Sequence, residues 1–308
     1  MIITNKNNLP ISYYRNCQRD NHPHFGMETF SATELLKGAK EIILTHRHWN
    51  EIEVDCSDMV WMILGTAVHA IFEGHEDEQE ISEARISATV MAYNPTSGLW
   101  DRPITISGGF DLYNGETKTL TDYKTTQAFG YKMKQEEGTE SDWYRQLKIY
   151  WWLLGKNGFE VRKGQVVAIL KDYSKAKARL DPLYPQLPVQ TVSYGGFGHS
   201  EQAAMLEADL TQKIDQILSY DLLDDDDIPP CTKEERWEKG EKWAVMKNGR
   251  KSAIRLLDSE AEARDMAEGL GKDHYVAYRP GISVKCEDYC SACEYCSFYK
   301  SLKEEVAE

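Results

Sequence analysis

The sequence lacks any long apolar run, and no stretch of it approaches the roughly 18 residues that a membrane-spanning helix needs. The first twenty residues also lack the apolar core of a secretory signal. These absences exclude a helical membrane protein. We therefore expect a cytoplasmic protein, located in the host cytoplasm if the chain is viral.

Positive charge is also scarce, since 36 basic residues face 50 acidic ones and the net charge is −14. A protein that coats nucleic acid needs positive surface to hold phosphates, so this balance argues against that class. It does not exclude an enzyme that acts on nucleic acid, because a metal site is itself acidic and a local basic groove can lie on an acidic body. The length of 308 residues suffices for one large or two ordinary domains.

A hairpin is predicted between Ile104 and Lys124, with its turn at Asn114-Gly115. Residues two apart on a strand project to the same side, so Asp122 and Lys124 project together, and the hairpin can bring Asp111 beside them. Two carboxylates can hold a hard divalent cation, and an amine beside them can position water or offset developing charge. A solvated hairpin with scattered charges is the alternative on these residues alone.

The segments that precede the hairpin contain further candidate site residues. An apolar-periodic helix is predicted over 59–72, where His69 is either a metal ligand or a packed histidine and Gly65 would allow a close approach to the sheet. The strand predicted over 83–92 precedes the hairpin, and Glu80 and Glu83 could reach the site.

A strongly apolar helix is predicted over 142–154, followed by a buried strand over 166–173. Gln146 and Tyr150 lie four apart and face one way, although Tyr150 could equally belong to an aromatic core. Residues 174–199 read as irregular and 200–223 as a long amphipathic helix.

Four short motifs in this order resemble the RecB-like branch of the PD-(D/E)XK nuclease superfamily. They lie between residues 65 and 150 and comprise Gly65-x3-His69, Gly108-x2-Asp111, Asp122-x-Lys124 and Gln146-x3-Tyr150. The resemblance implies an α/β fold with a restriction-endonuclease-like core, in which helices flank a mixed central sheet. It also implies that Asp111 and Asp122 hold Mg2+ or Mn2+, with His69 as a further ligand.

The same resemblance implies that Lys124 orients or activates the attacking water and that Gln146 and Tyr150 position the DNA strand. The expected activity is that of a metal-dependent exonuclease hydrolysing DNA phosphodiester bonds in phage or mobile-element recombination or repair, with a single-strand annealing protein as a possible partner. The alternatives are a nucleic-acid-binding or assembly module of this fold that does not cut, and a nuclease of the CRISPR-adaptation type.

Three regions are predicted: an N-terminal arm over 1–28, the nuclease core over 29–223 and a small α+β unit over 224–308, stapled by a metal. The acidic run Asp224–Asp227 reads as a solvated linker. Within the last region a hairpin over 243–257 carries Lys247, Arg250 and Lys251 at or beside its turn, where they could contact DNA phosphates. A merely soluble hairpin is the alternative.

Seven cysteines in a cytoplasmic protein are thiols or metal ligands rather than disulfides. The spacing Cys286-x3-Cys290-x2-Cys293-x2-Cys296 indicates a metal site, with Cys231 as a fifth candidate. The resemblance implies a [4Fe-4S] cluster on Cys231, Cys286, Cys290 and Cys296, leaving Cys293 spare. Zn2+ and unliganded thiols remain open, and in many relatives the distant cysteine precedes the histidine motif, where this chain has Cys17 and Cys56.

Overall fold

The computed structural model describes residues 1–19, 26–74 and 77–307, so positions 20–25 of the predicted N-terminal arm and residue 308 lie outside it. The chain divides into two units, Met1–Asp224 and Asp225–Glu308. In the described part of the chain, no helix has both the length and the apolar character needed to cross a bilayer.

The strands and helices of the first unit follow one another along the chain. Its strands are β1 Ile2–Thr4, β2 Thr29–Ser31, β3 Glu53–Asp55, β4 Glu80–Asn94, β5 Leu99–Asn114, β6 Thr119–Thr126, β7 Lys163–Leu170 and β8 Val189–Tyr194. Its helices are α1 Ile11–Cys17, α2 Ala39–Arg47, α3 Val60–Phe72, α4 Ala128–Glu137, α5 Asp142–Lys156, α6 Lys175–Leu180 and α7 Ser200–Tyr220.

The centre of this unit is a mixed sheet in the order β2-β5-β6-β7-β8, with β4 paired to β5 as well. The pairs β2–β5 and β6–β7 are parallel, whereas β4–β5, β5–β6 and β7–β8 are antiparallel. Helices flank the sheet, as predicted, and fully buried side chains such as Phe110, Leu120, Leu147 and Trp152 fill the core. β1 pairs with β3 in a separate two-stranded sheet.

The long strand β5 has two different partners along the edge opposite β4. It pairs with β2 over Thr105–Ser107 and with β6 over Leu112–Asn114. The segment Gly108–Asp111 lies between these two pairings, at the point where β6 separates from β5. This fork opens the sheet where the sequence carries its candidate acids.

Helix α5 is formed as its sequence predicts. Ser141 accepts a hydrogen bond from the Tyr144 backbone N–H at 3.2 Å and so caps the first turn. Nine of its residues are buried, including Leu147 and Trp152. Each large apolar side chain buried in this way stabilises the fold by about 1.5–3 kcal/mol, so α5 is firmly seated beneath the candidate site.

Helix α3 differs from its expected environment. It spans Val60–Phe72, close to the prediction, but none of its residues is buried. The predicted close approach at Gly65 is wrong, because a Cβ atom there would meet no atom within 4 Å. The apolar periodicity predicted a helix correctly but not which side of it is covered.

The region predicted to be irregular, 174–199, contains the short helix α6 and the edge strand β8. β8 pairs antiparallel with β7 from Gly164–Tyr194 to Ile169–Val189. Its alternating side chains are largely exposed, so it carries a weak apolar signal next to the prolines that suggested a loop.

The second unit contains the strands β9 Glu238–Lys239, β10 Lys242–Lys247, β11 Arg255–Leu257, β12 His274–Arg279 and β13 Ile282–Ser283, with the helices α8 Glu260–Leu270, α9 Val284–Asp288 and α10 Ser297–Ala307. Three strands form a sheet in the order β11-β10-β12, and α8 packs on it through Ala263 and Ala267 against Val245. The predicted hairpin over 243–257 is confirmed, although its second strand covers only Arg255–Leu257.

Candidate active site

The fork between β5 and β6 brings two acids to the same level of the sheet. The last registered pair is Leu112–Thr121, so Asp111 and Asp122 are the next residues on their strands. The Tyr123 backbone N–H donates a 2.6 Å hydrogen bond to Asp111 Oδ2. The Asp111 carboxylate thus takes the position of a strand partner, and this hydrogen bond holds it in place where the strands separate. Both Asp111 and Asp122 are buried.

A third acid, Glu83, lies at the same level on the other side of β5. The β4–β5 register passes from Ser82–Leu112 to Ala84–Phe110, which places Glu83 opposite Asp111. Glu83 has a φ of +47°, in the left-handed region that is rare for a residue with a side chain. Such a residue inside a strand redirects its side chain, and here the carboxylate reaches the site.

His69 of α3 joins these acids from above the strands. Its Nδ1 lies 3.1 Å from Glu83 Oε1 and 3.4 Å from Asp111 Oδ1. One ligand atom from each of the three residues lies within 4.8 Å of the other two. Glu83 had been one of two candidates on this strand, whereas the other, Glu80, instead accepts a hydrogen bond from Asn114 Nδ2 at 3.2 Å.

The remaining predicted residues surround Asp122. Lys124 Nζ lies 2.8 Å from Asp122 Oδ2, and Gln146 Nε2 donates to Asp122 Oδ1 at 3.3 Å. Gln146 Nε2 also donates to Tyr150 Oη at 2.9 Å. The structure therefore brings together all six residues that the motifs singled out around the hairpin, and Tyr150 is both a core residue and a neighbour of the acids.

Electrostatics at the fork are dominated by crowding of buried acids. Burial and, next in size, the nearby Asp122 carboxylate together raise the pKa of Asp111 to about 7, against the opposing influence of His69. Burial lowers the pKa of Lys124, but the adjoining Asp122 carboxylate more than offsets this, so its pKa lies above the ordinary value. Burial, together with Asp122, raises the pKa of Tyr150 to about 12, so its hydroxyl stays protonated.

Gly108 is the glycine whose lack of a side chain matters at the site. A Cβ atom at this position would lie 2.7 Å from Tyr150 Cε1 and 3.1 Å from Leu153 Cδ1. The close approach of α5 to the strand at Gly108 is distinct from the approach of α3 that had been expected at Gly65. It allows α5 to bring Gln146 and Tyr150 up to the acids.

This donor set suits a hard divalent cation. Carboxylate oxygens and an imidazole nitrogen are ligands for Mg2+ or Mn2+, and Asp111, Glu83 and His69 offer them within one small volume. A cation would also relieve the repulsion between Asp111 and Asp122. Nothing in the sequence pattern predicted the left-handed backbone at Glu83, and only its acidic character and position on the preceding strand pointed to it.

In the second unit the predicted phosphate-contacting residues Lys247, Arg250 and Lys251 are all exposed at the end of the hairpin. The turn is closed by a hydrogen bond from the Arg250 N–H to the Lys247 carbonyl at 3.0 Å. The Asn248 N–H donates to the Asp273 carbonyl at 2.8 Å, which ties the turn to the segment before β12.

The cysteines fall into two separate groups. Cys17 and Cys56 are buried together in the first unit, where the Cys17 thiol contacts the Cys56 carbonyl at 3.8 Å. In the second unit, burial and the neighbouring thiols of Cys231 and Cys296 raise the pKa of Cys286 to about 11.

Cys293 also acts on Cys286, so at least four thiols are close enough to interact there. Arg236 joins the two chain segments, because it donates to the Cys231 carbonyl and its own carbonyl accepts the Lys285 N–H. Among the described residues, the compact group within 4.8 Å contains no cysteine. Within the second unit, Cys231 nevertheless lies close to the C-terminal cysteines.

No protein-family model and no curated protein matches this chain. Similar solved structures include SSO0001, with 13% identity, a TM-score of 0.39 and coverage of 67% of this chain and 81% of that chain. They also include an alkaline exonuclease from Laribacter hongkongensis, with 10% identity, a TM-score of 0.33 and coverage of 64% of this chain and 89% of that chain.

A phage-related exonuclease from Haemophilus somnus 129PT has 15% identity, a TM-score of 0.28 and coverage of 59% of this chain and 74% of that chain. Two of these three similar structures are thus exonucleases. Every TM-score lies below 0.5, so the similarity does not define the fold or the activity of this chain.

Proposed function

We propose that this chain is a divalent-metal-dependent deoxyribonuclease that hydrolyses phosphodiester bonds, acting as an exonuclease. The observation that carries the proposal is the arrangement at the fork, where Lys124 Nζ lies 2.8 Å from Asp122 Oδ2 and His69 Nδ1 lies 3.4 Å from Asp111 Oδ1. Paired acids with an adjacent lysine are what metal-assisted phosphodiester hydrolysis requires.

Asp111, Asp122, His69 and Glu83 would hold Mg2+ or Mn2+. When bound, the cation would stabilise charge on a phosphoryl oxygen and lower the pKa of a bound water. Lys124, kept charged by Asp122, would donate a hydrogen bond to the attacking water and offset the charge that develops on phosphate. Gln146 would hold the Asp122 carboxylate through its amide, and the Tyr150 hydroxyl would orient Gln146 and the DNA strand.

The second unit would extend the contact with DNA. Lys247, Arg250 and Lys251 would bind phosphates at an exposed turn. A [4Fe-4S] cluster, or alternatively Zn2+, would be held by Cys231, Cys286, Cys290 and Cys296, and the half-buried thiols gathered around Cys286 fit such a group in their chemistry. In this proposal residues 29–223 form the nuclease core, 1–28 an arm and 224–308 the cluster-stapled unit.

Two alternative functions can be distinguished from this proposal. A module that binds DNA or an annealing protein without cutting would not need the intact set of Asp111, Asp122 and Lys124. A role in CRISPR adaptation rather than in phage or mobile-element recombination would use the same chemistry, and the genes adjacent to this one would distinguish the two.

The test is degradation of end-labelled single- and double-stranded DNA in the presence of Mn2+. We expect wild-type protein to cut and Asp122→Asn to be inactive while remaining folded, with the label pattern giving the polarity. Absence of cutting by folded, Mn2+-loaded protein on either substrate would contradict the nuclease proposal and favour the binding module.

A further inference from the structure

Helix α3 exposes apolar side chains along its whole length beside the candidate site. Trp61, Met62 and Ile71 are 57%, 53% and 65% exposed, and Val60, Leu64 and Phe72 are also exposed. None of the thirteen residues of this helix is buried. A helix with so many apolar side chains is normally covered by other parts of a protein, so an exposed one indicates a binding surface.

Both ends of α3 lie near β6, the strand that carries Asp122 and Lys124. Near its start, Lys171 Nζ lies 3.3 Å from the centroid of the Trp61 ring, and the Lys171 N–H donates to the Thr126 carbonyl at 2.9 Å. At its end, the Phe72 ring stacks on Tyr123 with centroids 4.6 Å apart. α3 therefore runs alongside β6. Its start lies near the carboxyl end of the strand, and its end lies at Tyr123, the residue between Asp122 and Lys124 in the sequence.

The same helix carries His69, which is 3.4 Å from Asp111. A protein partner that covered α3 would therefore also cover the cation site and block it. A DNA strand that is being cut, in contrast, must lie at the cation site and so beside α3. Aromatic rings and an ammonium group side by side are the groups that bind unpaired bases and their phosphates. Base faces are hidden inside a duplex, so an apolar helix can contact them only where the strands have separated.

We propose that the exposed side of α3 binds the unpaired bases of a single DNA strand next to the site of cutting. This inference rests on the proposed nuclease function and names its substrate class as single-stranded DNA or the melted end of a duplex. From Trp61 to Phe72 the helix rises by about 17 Å, so its exposed side is long enough to contact more than one base.

The test measures binding rather than cutting, so that it is independent of catalysis. Fluorescein-labelled dT12 and a blunt 12-base-pair duplex are titrated with full-length protein in low salt and EDTA, and fluorescence anisotropy is recorded. Trp61→Ala and Ile71→Ala remove apolar contacts, whereas Trp61→Phe keeps an aromatic face. Trp100→Ala is the matched control, because Trp100 is 62% exposed at the far end of β5.

We expect wild-type protein to bind dT12 more tightly than the duplex, and Trp61→Ala to weaken dT12 binding about fivefold or more. Ile71→Ala should weaken it in the same direction, whereas Trp61→Phe and Trp100→Ala should stay close to wild type. Equal affinity for the two probes, no binding of dT12, or an unchanged Trp61→Ala variant would overturn the inference.

Three further outcomes distinguish failure of this inference from failure of the nuclease proposal. If wild-type protein is a dimer that Trp61→Ala dissociates, α3 is an interface between copies and the inference is wrong. If α3 variants lose dT12 binding but wild-type protein never cuts DNA with Mn2+, α3 binds single-stranded DNA as inferred, while the nuclease proposal fails and with it the placement of that strand next to a site of cutting. If wild-type protein cuts duplex DNA and the α3 variants cut equally well, the nuclease proposal stands and the inference fails.

Discussion

The Tyr123 backbone N–H donates a 2.6 Å hydrogen bond to Asp111 Oδ2 at the level where β5 and β6 separate. An acid side chain thus takes the place of a ladder carbonyl at the end of a strand pairing. The hydrogen bond satisfies the backbone donor and holds the Asp111 carboxylate beside Asp122. The candidate site is therefore a consequence of where the sheet divides.

Gly108→Ala is expected to destabilise the fold by about 1–3 kcal/mol, because the added methyl group would overlap Tyr150 in a packed core. Gly109→Ala is the matched control, since a Cβ atom at Gly109 would meet nothing within 4 Å. Urea unfolding of the two variants measures the difference. Equal stability of Gly108→Ala and Gly109→Ala would show that the close approach of α5 is not required.

The raised pKa of Asp111 predicts a pH dependence of stability in the metal-free protein. Its folded-state pKa of about 7 lies above the ordinary aspartate value of 3.8, so the native state binds the proton more tightly than the unfolded state does. The contribution of this group to stability is therefore present at low pH and is lost as pH rises through about 7.

Asp111→Asn removes this ionisation and should gain stability relative to wild type as pH rises. Urea unfolding at pH 5 and pH 8 in EDTA tests the sign. If the difference in unfolding free energy between Asp111→Asn and wild type is the same at both pH values, the buried acid does not titrate as described.

Glu83→Gln is expected to weaken Mn2+ binding by about tenfold or more, since it removes a charged ligand while keeping the size of the side chain. Glu80→Gln, on the same strand, should leave the affinity close to wild type because Glu80 is engaged by Asn114. Calorimetric titration with Mn2+ measures both. Glu83→Gly provides a second variant, because glycine adopts a φ of +47° readily. Wild-type affinity in both Glu83 variants would exclude this carboxylate as a ligand.

The cysteine group predicts a visible absorption spectrum. Protein purified without oxygen should show a broad visible band if it holds an iron–sulfur cluster, or about one zinc per chain without colour if it holds Zn2+. Cys286→Ser should abolish either signal, whereas Cys56→Ser should not, because Cys56 lies with Cys17 in the first unit. A wild-type protein with neither iron nor zinc would leave the thiols unliganded.

Much of this architecture follows from local patterns. The turn at Asn114-Gly115, the buried helix α5 and the acids of the hairpin were predicted because turn residues, strand alternation and a run of apolar residues all act locally. The predicted residues His69, Asp111, Asp122, Lys124, Gln146 and Tyr150 lie together as expected.

The features that the sequence did not predict depend on contacts between residues far apart in the chain. The left-handed conformation of Glu83 arises where β4 passes Asp111, and no local residue pattern encodes it. The close contact at Gly108 depends on how α5 packs, and a close approach had been expected only at Gly65. The exposure of α3 was also unforeseen, because an apolar helix ordinarily predicts a buried one.

The most direct test of the central claim is Mn2+-dependent cutting of end-labelled DNA by Lys124→Ala beside wild type, with Mn2+ binding measured on the same samples. Lys163→Ala is the control, since Lys163 is an exposed lysine at the start of the neighbouring strand. We predict that Lys124→Ala binds Mn2+ but cuts about 100-fold more slowly or not at all, while Lys163→Ala resembles wild type. Cutting by Lys124→Ala at the wild-type rate would contradict the account.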